Sequence, residues 1–253
     1  MFLWHSTISP DVAGRRLIEA GFTDRTSGVG AAPFTGLNLG GGVGDEPFAV
    51  EANRRAVADA MKVERERLLF MSQVHGASIV EVSGPLGGDV PEADGIVTTA
   101  TDLALAVLVA DCVPLLLHDA GAGVIGAVHA GRPGMTTGVV GAALERMRRL
   151  GAERISAIVG PSVCARCYEV PEAMAAQAAA VSPASMARSW TGTHAIDVAA
   201  GVVEQLSAEG VAVQWIPGCT REDGSLYSYR RDGRTGRFAG LIVMRSGDRA
   251  GTT

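Results

Sequence analysis

Short runs of β-branched and aliphatic residues alternate along this chain with longer stretches of helical periodicity, and that alternation most restricts the fold it can adopt. Apolar runs at 16–22, 68–74, 78–82, 103–109, 114–118, 124–128, 155–159, 211–216 and 239–243 predict strands. Helical spacing predicts four helices over 47–61, 136–150, 171–180 and 196–208. Thr136 and Thr137 offer N-caps for the second helix, and Gly151 offers its stop. The expected class is mixed α/β (α+β), with a sheet core flanked by helices. No Ser/Gly or Pro-rich linker and no fixed-period repeat divides the chain, so one compact domain over 1–253 is expected, with its core at about 16–245 and a flexible tail at 246–253.

Size permits such a core: 253 residues, 47% of them apolar, can bury a large interior. A net charge of −5 supplies no general attraction to phosphate backbones or anionic lipid, so neither nucleic acid nor membrane is an expected partner. The most apolar stretch, 103–117, is shorter than the roughly 18 uncharged residues of a membrane span, and Asp111 breaks it. The N-terminus lacks a basic segment followed by a long apolar one. Four cysteines in a chain of this length do not read as a disulfide framework. The expectation is a cytoplasmic protein with reduced thiols and a small-molecule substrate; its oligomeric state is left open, a monomer included.

Three segments carry chemistry. In Gln73-Val74-His75-Gly76 a histidine follows a strand, and a glycine lets the backbone turn after it. Ala110-Asp111-Cys112-Val113-Pro114 ends the most apolar strand, placing a carboxylate and a thiol where burial ordinarily demands Val or Leu. Val128-His129-Ala130-Gly131 again ends a strand with histidine. His75, Cys112 and His129 together form a donor set suited to zinc, with a fourth position left for water or substrate. Their separations, 37 and 17 residues, match no short ligand motif. Spacing alone therefore favours two core histidines and an inert thiol over a metal site. A metal-free alternative makes Cys112 a nucleophile, His129 its base and Asp111 an orienting group.

Cys164-Ala-Arg-Cys167 is a lone CxxC without a second pair at zinc-finger spacing, and it reads as loop cysteines without a shared metal. Cys219 is equally ambiguous. The arginine-rich segment 228–237 could form an anion-binding wall, although an exposed charged hairpin before the last strand is the simpler explanation.

Taken in order, Asn38-Leu39-Gly40, Val43-Gly44-Asp45, Glu51-Ala-Asn53-Arg54-Arg55, QVHG, ADCVP, VHAG, GPSV, CARCYEV and SYRRDGRTGRFAGLI resemble the YfiH/laccase-domain family across about Gly21 to Met244. Members are described as polyphenol oxidoreductase-like, as purine nucleoside phosphorylases, and as peptidoglycan editing factors. The resemblance implies the YfiH-like cysteine hydrolase fold shared with bacterial toxin deamidases, and zinc held by His75, Cys112 and His129. It also implies phosphorolysis of adenosine, inosine, guanosine and methylthioadenosine, with adenosine deamination beside it. Cys112 and His129 then sit at the catalytic centre, and in deamination Asp111, adjacent to Cys112, is the expected proton carrier. Asn38, Arg54, Arg55, Arg230 and Arg231 are the expected contacts to nucleoside and phosphate.

Two departures stand out. The family's HAGWRG is here His129-Ala130-Gly131-Arg132-Pro133-Gly134, which displaces the arginine by one place and inserts a proline that has no amide donor. The family's paired cysteines are here Cys164-Ala-Arg-Cys167. A copper-dependent phenol oxidase is disfavoured on ligand arithmetic. Blue multicopper sites need roughly ten histidines in HxH pairs, whereas this chain has five histidines and no HxH. A Cys/His amidase acting on a peptidoglycan precursor and a non-catalytic zinc module are the remaining alternatives.

Overall fold

The computed structural model describes residues 1–8 and 16–246, and it is mixed α/β. The expected tail, Ser246 apart, lies outside the described residues. One sheet runs in the order β1 (Phe2–Ile8), β2 (Ile18–Thr23), β13 (Phe238–Met244), β6 (Ala104–Val109), β3 (Leu68–Leu69). A second runs β12 (Ala212–Trp215), β9 (Ser156–Val159), β7 (Val113–Asp119), β8 (Val124–Ala130), β5 (Gly95–Thr98), β4 (Ile79–Glu81). A separate pair joins β10 (Met186–Arg188) and β11 (His194–Ile196).

The two large sheets share a core because their strands alternate with period two and are apolar on both faces. Leu105, Val107 and Val109 of β6 meet Leu116, Ile125 and Ile158 of the second sheet. The intervening Ala104, Ala106 and Leu108 face the other way, toward Val57 and Ala58 of α1 (Pro47–Ala60). Val113, Leu115, Leu117 and Val128 likewise turn outward from the second sheet. There they are covered by Val140, Ala143, Leu144 and Met147 of α3 (Val139–Arg149) and by Val202 and Leu206 of α5 (Val198–Ala208). Four layers result, and each fully buried Leu or Val contributes roughly 1.5–3 kcal/mol.

Local chemistry moved several expected boundaries. The strand expected over 68–74 stops at Leu69, because the Gln73 side chain takes over the pairing with β6: it donates to the Leu108 carbonyl at 2.7 Å and accepts from the Leu108 amide at 2.8 Å. The helix expected over 136–150 is two helices, α2 (Arg132–Thr137) and α3, separated by Gly138 at φ 93°. Thr136 and Thr137 are consequently not N-caps; both hydroxyls donate back to the Pro133 carbonyl. Gly151, at φ 92°, does end α3. Ile196 belongs to β11, and Asp197 caps α5 by accepting from the Ala200 amide. α4 (Glu172–Val181) lies at the expected place. The segment before the last strand is not a hairpin: Ser228 caps a single turn, α6 (Tyr229–Asp232), by accepting from the Arg231 amide. β1, β5, β10 and β11 escape pattern reading because they are short or carry mixed polarity.

The crossing between the sheets positions the site. The chain leaves β6 at Val109 and enters β7 at Val113, so 110–112 span the gap, with Asp111 at φ 98°. No helix among the described residues is long and apolar enough to cross a membrane.

Candidate active site

Three segments converge where the sheets part. β3 delivers the 70–75 segment, the crossing delivers Cys112, and the last turn of β8 delivers His129. Cys112 Sγ lies 3.7 Å from His75 Nε2, and the His75 and His129 rings meet edge to face at 4.7 Å between centroids. Donor atoms of all three residues lie within 4.8 Å of one another. Zinc bonds of about 2.3 Å to sulfur and about 2.0 Å to nitrogen place sulfur and nitrogen about 3.5 Å apart, and the two nitrogens about 3.3 Å apart, in a tetrahedron. The observed spacing fits.

Asp94 holds this arrangement together, and no motif pointed to it. Its carboxylate is fully buried and accepts the amides of Val74, His75 and Gly76 at 3.3, 2.9 and 2.6 Å. That cradle pins the strained turn in which His75 adopts φ 62°. The same carboxylate bonds His129 Nδ1 at 2.8 Å, which leaves Nε2 as the atom free to bind a metal. Burial raises the Asp94 carboxyl, but the hydrogen bonds from His129 and the Gly76 amide outweigh it and hold the group below the usual carboxylate range. The signal in the sequence is an acid between Ala93 and Gly95, at the head of an apolar run.

Gly131 supplies the space. A Cβ there would sit 2.9 Å from His75 Cδ2 and 3.0 Å from Cys112 Sγ, so any side chain would intrude between the donors. Burial on its own would push the Cys112 thiol up and the His129 imidazole down. Their mutual attraction as thiolate and imidazolium reverses both, bringing Cys112 to about 6 and His129 to about 9. A thiolate is the form a metal needs.

The donors open into a cavity of about 680 Å³, within the range of small-molecule sites. Arg54, Arg132, Arg230 and Arg237 line it, as do Phe70, Tyr168 and Tyr229. Arg54 lies 4.1 Å above the Phe70 ring and donates to the Leu39 carbonyl, and burial lowers its guanidinium to about 10. Arg132, the displaced arginine, has a buried Nε without a partner. Arg237 belongs to the segment singled out in the sequence, where Arg230 and Arg231 are the expected contacts; of these two, Arg230 lines the cavity.

Other expected contacts lie elsewhere. Arg55 points outward and pairs with Glu51. Arg231 donates to the carbonyls of Thr220, Asp223 and Leu226 and braces its own loop. Asn38 is fully buried; it bonds the Gly40 amide and carbonyl, Asp45 and the Arg237 amide, so it shapes the glycine loop at the cavity rim from behind. Asp111 lines the cavity, but its oxygens accept from Thr220 Oγ1, Ser228 Oγ and the Arg230 amide at 2.6–2.7 Å. Cys164, Cys167 and Cys219 do not join the His75 group.

The family model for multi-copper polyphenol oxidoreductase laccase matches residues 19–245. The chain belongs to this family. It is 54% identical over 228 residues to a purine nucleoside phosphorylase of Streptomyces coelicolor, covering 88% of this chain and 94% of that one. A purine nucleoside phosphorylase of Deinococcus radiodurans is 40% identical, covering 88% of each. Among solved structures, YlmD from Geobacillus stearothermophilus superposes with a TM-score of 0.84 at 30% identity, over 95% of this chain and all of that one. The YfiH protein of Bacillus licheniformis gives 0.82 at 26% identity, over 91% and 97%.

Proposed function

We propose that this family member is a zinc-dependent purine nucleoside phosphorylase with adenosine deamination as a side activity, acting on adenosine, inosine, guanosine and methylthioadenosine. The observation that carries the reading is one cavity of about 680 Å³ in which three side chains able to hold a metal and four arginines face the same space. The names of the relatives support it. Zinc fits the two-imidazole, one-thiolate set, whereas multicopper oxidation asks for roughly ten imidazoles and only two of the five here reach the centre.

When bound, zinc would supply Lewis acidity and an open coordination position. The chain's own residues do the rest. In phosphorolysis an oxygen of the hydrogen phosphate dianion bonds to the anomeric carbon as the bond from that carbon to the purine nitrogen breaks, and the departing base takes up the proton that the phosphate gives up. Arg54, Arg132, Arg230 and Arg237 hold the phosphate dianion in place. Tyr168 and Tyr229 offer aromatic surface to the base. Asp111 acts by position: its three hydrogen bonds fix the crossing that carries Cys112 against the turn that carries Arg230.

The test is phosphate-dependent release of free base from adenosine by zinc-loaded protein. Product is expected, with none from a Cys112→Ala variant; product no greater than that control would refute the reading. The thiolate–imidazolium pair favours a second reading, a Cys112 nucleophile with His129 as its base. That reading requires activity to survive a chelator and to be lost on alkylation of Cys112.

A further inference from the structure

A second group of metal-binding atoms lies outside the active site. Cys164, Cys167, Cys219 and Glu222 each offer one ligand atom, and these atoms all lie within 4.8 Å of one another. They come from two segments some fifty residues apart, brought together by the bridge between Ser162 and Cys219 and by the Ser162 to Gly218 and Thr220 to Ser162 backbone bonds. Cys164 and Cys167 stand on one tight turn, closed by the Cys167 amide on the Cys164 carbonyl. Cys219 begins another, its carbonyl accepting from the amides of Glu222 and Asp223.

Thiols are weak hydrogen-bond formers, and apolar packing does not require three of them to meet beside a carboxylate. A tetrahedral zinc does, since it spaces sulfurs about 3.8 Å apart. The surroundings suit a ligated set. The Cys164 amide donates to Cys219 Sγ at 3.4 Å, a bond that favours negative charge on that sulfur. Trp190 Nε1 donates to Glu222 Oε1 at 3.2 Å and orients it, and Arg166 lies 4.4 Å over the Trp190 ring.

We propose that Cys164, Cys167, Cys219 and Glu222 form a closed, structural zinc site, distinct from the His75, Cys112 and His129 centre. Three thiolates and one carboxylate select a soft-accepting divalent ion and leave no open position, so the site performs no chemistry. Its effect is mechanical. Val163 and Tyr168 beside the first turn line the active cavity, and Thr220 beside the second holds Asp111. The ion therefore clamps two parts of the cavity wall.

Metal counting on the full chain, purified from zinc-supplemented cells, tests the assignment. Wild-type protein is expected to hold about two zinc ions per chain, and Cys112→Ala, Cys164→Ser and Cys219→Ser about one each. A wild-type content of about one that Cys112→Ala abolishes would overturn the proposal. Zinc contents of Cys164→Ser and Cys219→Ser equal to wild type would overturn it as well. Cobalt gives an independent readout: thiolate-to-cobalt charge-transfer absorbance per chain should fall by more than half when Cys164 and Cys219 are both replaced by serine, and an unchanged band refutes the site. Should the serine variants fail to fold, Glu222→Gln, at an exposed position, should lose its second zinc to a chelator faster than wild type, and equal rates would count against the assignment. A disulfide among these cysteines in freshly purified, thiol-blocked protein would also refute it.

Discussion

At the residue scale, the centre depends on groups that touch no substrate. Asp94 binds His129 and three amides at once, so Asp94→Asn should weaken zinc binding by about 10–100-fold, as read by competition with a chromogenic chelator. Gly131→Ala separates the centre from general stability. Its backbone, at φ −77°, tolerates alanine, but the new Cβ meets His75 and Cys112. Zinc content and nucleoside cleavage should fall together while the melting temperature stays within a few degrees of wild type. The neighbouring arginines give a matched contrast. Arg54→Met should raise the KM for phosphate at least about tenfold, the size of one charge-assisted contact. Arg55→Ala should leave it unchanged, because Arg55 is turned to solvent against Glu51. Equal effects from the two would remove Arg54 from the phosphate site.

At the element scale, the two short breaks in regular structure do most to shape the site. Gly138 interrupts what reads as one continuous helix and lets α2 pack Met135 beneath the sheet before α3 begins. An L-residue there must adopt the left-handed region, so Gly138→Ala should cost about 1 kcal/mol in urea unfolding. The crossing at 110–112 is the other break, and Asp111 fixes it through side chains from 220 and 228. Helical periodicity carried α1 and α5, and unbroken apolar runs carried β6, β7, β8 and β13, which are buried on both faces. Neither carried the β3 extension, where a glutamine side chain imitates a strand, or α6, where a capping serine organises arginines that read as a loop.

At the scale of the whole molecule, the end of β13 is tied to the rest by Arg245. It bonds Glu19 on β2 and the Met61 carbonyl just past α1 and lies near Asp102, linking the first sheet to its covering helix. The hydrogen bond from Arg245 is the main reason that the Glu19 carboxyl lies below its usual value, against the opposing effect of burial. A depressed carboxyl stabilises the fold above its unfolded value, roughly 4.3, and that contribution is lost as pH falls through the lower folded value. Glu19→Gln should therefore reduce stability at neutral pH and flatten the acid limb of a melting-temperature profile; an unchanged acid slope would dissociate this pair from acid unfolding.

The amino-acid sequence by itself determined the mixed α/β class, the positions of the longer elements, and the residue types able to hold a metal. Each of these follows from short-range periodicity or from the chemistry of a single side chain, as at His75, Cys112 and His129. Only the tertiary structure decided which groups meet. It set Asp94 behind His129, turned Arg54 inward and Arg55 outward within one helical turn, engaged Asp111 with three donors, and gathered three cysteines beside Glu222. Apart from the Arg55 pair with Glu51, one helical turn away, those outcomes rest on contacts between residues well separated along the chain, and short-range patterns do not encode them.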